Sequence, residues 1–124
     1  MKFKSALVID DDQDLSMLLK AILASYIPSV SCAFTLSAGI QRVNEMKPDI
    51  IFLDNNLPDG QGINFITEIK SIAPQTSLVM ITAMGHAQET ALSYGADIFI
   101  EKPLTSANIY ETLNKLAANQ NTKV

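Results

Sequence analysis

The chain holds a single cysteine, Cys32, among 124 residues, so it can form no internal disulfide, and that fits a reducing compartment. Val30 and Phe34 alternate around Cys32 with serine and alanine, which predicts a packed strand thiol rather than a reactive one. No apolar run approaches the roughly 18 residues that a membrane span requires. Met1-Lys2-Phe3-Lys4 leads directly into a strand pattern, without the apolar core of a signal peptide. The expectation is a cytoplasmic protein with no membrane partner. Basic residues are also few: 9 Lys and Arg stand against 13 Asp and Glu, for a net charge of −4. A phosphate backbone needs a basic face, so this balance argues against nucleic-acid binding by this domain. Internal repeats and linkers are absent. The length suits one domain around a single core, and 48% hydrophobic with 18% charged residues is a globular balance.

What is present is organised around Asp49-Ile50-Ile51-Phe52-Leu53-Asp54-Asn55-Asn56-Leu57-Pro58-Asp59-Gly60. A short apolar run bounded by turn signals predicts a strand buried on both faces. Asp54 then stands at its carboxyl end, the edge at which open α/β sheets bind ligands. A carboxylate there can be a nucleophile, a metal ligand or a turn former. Pro58 and Asp59-Gly60 close the loop that follows.

The other elements fall around that strand. Residues 5–10 form a first apolar run ending in Asp10, with Asp11 and Asp12 next. Leu15, Leu18, Leu19, Ile22 and Leu23 have helical spacing, capped by Asp11 or Asp12 and stopped by Pro28. Val30 to Phe34 is a second strand. A second helix starts at Thr35 or Ser37 and runs through Ile40, Val43 and Met46. Ile63, Phe65, Ile66, Ile69 and Ile72 outline a third helix, ending near Pro74. Ser77 to Thr82 is a fourth strand, and a short helix from Gly85 to Tyr94 carries Ala87, Ala91 and Leu92. Asp97 to Ile100 is the fifth strand, and Leu104, Ile109, Leu113 and Leu116 define the last helix. Residues 1–118 thus make one domain, with 119–124 a polar, fraying tail. Strands alternating with helices predict a parallel sheet with helices on both faces and right-handed crossovers.

In such a sheet all carboxyl ends share one edge. Asp10, Asp11, Asp54, Thr82 and Lys102 therefore converge, although each alone reads as a cap, a turn former, a strand terminus or a solvated lysine. Two unit charges about 4 Å apart repel by about 4 kcal/mol at an effective dielectric of 20, so clustered aspartates need a cation. Mg2+ suits, because it takes a few carboxylate oxygens and keeps several waters. Carboxylates, a divalent ion and an ammonium together suit phosphoryl transfer, with Asp54 as the natural acceptor through an acyl phosphate.

At this point the sequence resembles the receiver domain of two-component response regulators (the CheY-like family) over residues 4–117. Leu7-Val8-Ile9-Asp10-Asp11, Asp49 to Asp54 with Leu57-Pro58, Met80-Ile81-Thr82-Ala83, and Gly95-Ala96 through Phe99 to Lys102-Pro103 carry the likeness. The resemblance implies a flavodoxin-like, doubly wound five-stranded parallel sheet of order 2-1-3-4-5 flanked by five helices. It implies phosphorylation of Asp54 by the phosphohistidine of a sensor histidine kinase or a histidine phosphotransfer protein. Asp11 and Asp54 would ligate Mg2+ directly, Asp10 mainly through water, and Asn56 through its backbone carbonyl. Thr82 and Lys102 would meet the phosphoryl oxygens. Ala83 leaves room for the phosphodonor, Met84 lies where the attacking water passes, and Phe99 is the aromatic switch that follows Thr82. The domain would catalyse only its own phosphorylation and slow autodephosphorylation, then signal to an output domain or downstream protein. Asp12 is expected to cap the first helix, and His86 to be solvated. The separation of Thr82 from Lys102 is shorter than the family's usual spacing. The shortening falls before Gly95, and bears on phosphorylation-linked dimerisation through the fourth helix, fifth strand and fifth helix.

Two rivals are weaker. A haloacid-dehalogenase-type phosphatase would use Asp10-Asp11-Asp12, but it needs an acidic pair beyond Lys102 and leaves Asp54 without a role. A receiver-like binding module that never takes phosphate would have lost an acid or the lysine, and none is lost here.

Overall fold

The computed structural model describes residues 3–83 and 88–122. Five parallel strands form the central sheet: β1 (Ser5–Ile9), β2 (Ser29–Ala33), β3 (Ile50–Asp54), β4 (Ser77–Thr82) and β5 (Ile98–Glu101). Their spatial order is β2-β1-β3-β4-β5, the expected doubly wound order. The helices are α1 (Gln13–Leu23), α2 (Leu36–Met46), α3 (Ile66–Ile72), α4 (Gln88–Ser93) and α5 (Ser106–Thr122).

Side chains alternate across a strand, and the sheet sorts them into two cores. Leu7, Ile9, Ile51, Leu53, Leu78 and Met80 face one way and pack with Leu36 and Val43 of α2, Ile66 and Ile69 of α3, and Ala91 of α4. Ala6, Val8, Ile50, Phe52, Val79 and Ile81 face the other way, onto Leu19 and Leu23 of α1 and Ile109, Leu113 and Leu116 of α5. Every residue of β3 is buried, which is why its sequence is continuously apolar rather than alternating. Register is fixed by this burial, because a one-residue slip would exchange the two faces.

Local chemistry sets the element ends. Asp12 is the N-cap of α1, its Oδ1 accepting from the Leu15 N–H at 3.1 Å. Thr35 caps α2, its Oγ1 accepting from Ala38 N–H at 3.0 Å. At the amino edge of the sheet, Asp97 lies just outside β5 rather than inside it. Its carboxylate accepts from Leu78 N–H at 2.7 Å and pairs with Lys70 at 3.0 Å, so it ties β4 to the start of β5. Cys32 is partly buried against the α1/α5 core, and burial raises its thiol pKa, as a packed and unreactive cysteine requires.

Three further features differ from the sequence reading. The third helix opens as a 3-10 turn over Gly62–Phe65 before α3 proper, because the preceding loop folds back on Asn55 and tightens the entry. That loop contains a two-stranded antiparallel hairpin, Asn56–Leu57 with Gly60–Gln61. Helix α5 continues to Thr122, into the stretch expected to fray. No glycine or proline interrupts Ala117-Ala118-Asn119-Gln120-Asn121, so the helical ladder has nothing to break it. Among the described residues no helix is long and apolar enough to cross a membrane.

Candidate phosphoacceptor and metal site

The carboxyl edge of the sheet gathers side chains that the chain separates widely. Asp10 follows β1 and is fully buried, Asp54 ends β3 and is 4% exposed, and Thr82 ends β4 and is fully buried. Lys102 follows β5, and its N–H donates to Thr82 O at 2.9 Å, fastening the lysine's backbone to the end of β4. The ammonium of Lys102 bridges the two buried acids, 3.4 Å from Asp10 Oδ2 and 3.3 Å from Asp54 Oδ1. Asp11 lies beside them, exposed. One carboxylate oxygen from each of Asp10, Asp11 and Asp54 lies within 4.8 Å of the others.

The electrostatics of this cluster are unbalanced. Burial and the neighbouring Asp10 charge push the Asp54 carboxyl up to about 6, although Lys102 and the Asn55 N–H pull it down. Burial works to lower the Lys102 pKa, but Asp54 and Asp10 more than offset it and the net shift is upward. The lysine is therefore a permanent cation, and a single one against three acids.

Asp10 Oδ1 accepts from Asp12 N–H at 2.9 Å, whereas the buried Oδ2 has only the long 3.4 Å ion pair to Lys102. A buried oxygen left in that state is costly unless something else meets it. An all-oxygen set with one buried oxygen so weakly met fits a hard divalent ion that retains part of its water shell.

The loop after Asp54 is stitched from inside and outside. Asn55, 5% exposed, accepts from Gly62 N–H through its carbonyl at 2.8 Å and from Ile63 N–H through Oδ1 at 3.0 Å. A Cβ on Gly62 would sit 2.3 Å from Asp54 O, so only glycine lets the returning backbone come this close. At the loop tip, Asp59 accepts from Leu36 N–H at 2.8 Å and Ser37 N–H at 2.9 Å. These bonds lower its pKa. The sequence reading treated Asn55 and Asp59 only as loop residues, and no local pattern marks them, since their partners are set by the fold.

The remaining expected residues are placed as follows. Asn56 is exposed at the start of the hairpin, and Ala83 is exposed just past β4. Phe99 is half-buried in register with Met80 and packs against the α2/α3/α4 core. Thr82 pairs with Glu101 in the same ladder, so Thr82 and Phe99 project from the same sheet face. Met84 and His86 lie outside the described residues. Asp12 caps α1 and takes no part in the cluster.

The family model of the response regulator receiver domain matches residues 6–114. The chain belongs to the response regulator receiver family. It is 32% identical over 117 residues to a chemotaxis protein CheY of Thermotoga maritima, covering 92% of this chain and 98% of that protein. It is similar to the crystal structure of a two-component response regulator from Clostridium difficile, with a TM-score of 0.88 and 27% identity over 96% of this chain and 99% of that one. A CheY-like receiver domain protein from Methanospirillum hungatei has the same fold, with a TM-score of 0.90 at 23% identity over 99% and 100% of the two chains.

Receiver domains are phosphoacceptors of two-component signalling; they bind Mg2+ in an acidic pocket and interact with histidine kinases and output domains. The phosphatase reading and that of an unphosphorylated module are not favoured.

A prediction follows from the raised Asp54 carboxyl. Its folded pKa of about 6 lies above the ordinary 3.8, so between those values the folded state holds a proton that the unfolded chain releases. Metal-free stability then falls as pH rises through this window, by on the order of 2–3 kcal/mol in full. Asp54→Asn removes the penalty. In chelator at pH 7.5 the variant should be the more stable protein in urea denaturation, with the gap closing towards pH 4. Equal stabilities at both pH values would contradict the assignment of a strained carboxylate at Asp54.

Proposed function

We propose that Asp54 is the phosphoacceptor of a two-component relay, taking its phosphoryl group from a histidine kinase or a histidine phosphotransfer protein. The observation that carries this reading is the bridge of Lys102 between Asp54 and Asp10, with Asp11 alongside at the sheet edge. An Asp54 carboxylate oxygen attacks phosphorus, the P–N bond to the donor imidazole breaks, and the leaving nitrogen takes up a proton. With its carboxyl near 6, Asp54 is ionised at neutral pH and able to attack. Asp10, Asp11, Asp54 and the Asn56 carbonyl would hold Mg2+, which when bound neutralises charge on the transferring group. Lys102 meets one phosphoryl oxygen and the Thr82 hydroxyl another. Slow self-hydrolysis of the acyl phosphate resets the domain.

The acceptor is tested by incubation with magnesium and a small acyl phosphate or phosphoramidate. One hydroxylamine-labile phosphoryl group should appear on Asp54, and Asp54→Asn should take up none. Labelling of the variant to the wild-type level would overturn the assignment.

The signal leaves through Thr82. A phosphoryl group adds about −1.5 to −2 charges, and the Thr82 hydroxyl moves towards it. The space this opens lies on the face from which Phe99 also projects, so the ring turns inward and repacks the surface of α4, β5 and α5. This surface, which includes Gln88–Ser93 of α4, is where we place the contact with an output domain or downstream protein. Thr82→Ala keeps the acceptor, the acids and the lysine, and should still be phosphorylated. Amide exchange or NMR shifts across residues 88–110 should respond to phosphorylation strongly in wild type and weakly in Thr82→Ala. A full response in the variant would mean that the signal takes another path.

A further inference from the structure

We propose that Asp59 is a positioning residue for the metal site, acting through the loop that carries the Asn56 carbonyl. The proposal rests on the magnesium reading above and adds a determinant to it that touches neither ion nor phosphate. Asp59 sits at the tip of the small hairpin, where its two carboxylate oxygens accept from the first two amides of α2, Leu36 and Ser37, at 2.8 and 2.9 Å. Both N–H groups belong to a helix start that has no intrahelical partner for them, and the helix dipole favours an anion there. The bonds therefore anchor the loop to a rigid element rather than to another loop.

The anchor is mechanically close to the site. Asn56 pairs with Gln61, and Leu57 with Gly60, across the hairpin whose turn contains Asp59. Gly60, at a φ of +150°, lets the tip lie so near α2 that a Cβ there would stand 3.1 Å from Leu36 Cδ1. At the other end, Asn55 holds the loop base through Gly62 and Ile63. The Asn56 carbonyl is thus slung between two ties, one at the base and one at the tip. Mg2+ demands close to ideal octahedral placement of its oxygens, so a ligand on an untethered loop binds it less well. Releasing the tip at Asp59 lets the hairpin move off α2 and raises the cost of presenting that carbonyl.

A second residue at the same helix end provides the control. Thr35 also caps α2, through Ala38 N–H, but it has no tie to the loop. Thr35→Ala and Asp59→Ala both remove an acceptor from the α2 N-terminus, and only the second frees the hairpin. Charge is controlled separately. Asp59→Asn loses the negative charge and, with one oxygen for two amides, keeps at most one of the two bonds, while Asp59→Glu keeps the charge and both oxygens on a longer arm.

The measurement is Mg2+ affinity of the intact chain by calorimetric titration, for wild type, the three Asp59 variants, Thr35→Ala and Asp11→Asn. Asp59→Ala and Asp59→Glu should bind about tenfold more weakly, the scale on which removal of an outer support acts on a metal site. Thr35→Ala should stay close to wild type, and Asp59→Asn, left with at most one of the two bonds, should fall between wild type and Asp59→Ala. In phosphorylation assays with a small acyl phosphate, Asp59→Ala should need more magnesium for half-maximal rate but reach the wild-type rate at saturation. Equal weakening by Thr35→Ala would reduce Asp59 to a helix cap, and weakening by Asn but not Glu would reduce it to a remote charge; either result overturns the proposal. Normal affinity in Asp59→Ala with loss in Asp11→Asn would overturn the proposal alone. Wild-type affinity in Asp11→Asn, or no binding by wild type, would overturn the magnesium reading and the proposal with it.

Discussion

Two buried aspartates share one lysine, and much of this fold follows from that constraint. Asp10 is fully buried and Asp54 almost so, which would be untenable for two bare anions in contact. Lys102 makes the pair tolerable but leaves the site short of positive charge once Asp11 is counted. A site that is stable yet unsatisfied in this way is prepared for a cation and then for a phosphoryl group. Parallel strands are what allow it. Ladders β1–β3, β3–β4 and β4–β5 bring residues from both ends of the chain to one edge, and the two cores lock each strand's register.

Much of this was legible in the sequence. An apolar run ending in Asp54, another ending in Asp10, and Lys102 after a third are strand-end signals, and a parallel sheet forces their convergence. Asp12 was readable as a helix cap, and Thr35 as one of two candidate starts with Ser37, because capping is local chemistry within three residues. The family likeness added the sheet order and is upheld by the match over residues 6–114. Asn55, Asp59 and Gly62 were not legible as parts of the site's support. The contacts of Asp59 reach back more than twenty residues to α2, and Gly62 matters only because the Asp54 carbonyl happens to pass within a Cβ's reach. Helix α5 runs to Thr122 through the stretch whose polar composition suggested a tail, since no glycine or proline stands there to end it.

The sequence reading put a shortening between Thr82 and Lys102, before Gly95, in a stretch that holds none of the three clustered acids. Lys102 keeps its hold on the end of β4 through Thr82 O, so the lysine's position does not depend on α4. Ala91 of α4 joins the buried α2/α3 core, while Leu92 and, just past the helix, Tyr94 are at the surface. The acids sit on the ends of β1 and β3, and Lys102 reaches them from the end of β5.

The central claim is that Asp54 is held as a destabilised carboxylate awaiting a cation. The direct test is a site-resolved 13C NMR titration of its carboxyl carbon, with and without magnesium. The metal-free protein should titrate at about 6, and magnesium should move the midpoint down by more than about one unit, because a bound cation favours the ionised form. An Asp54 carboxyl that titrates near 4 in chelator, with no response to magnesium, would contradict the account.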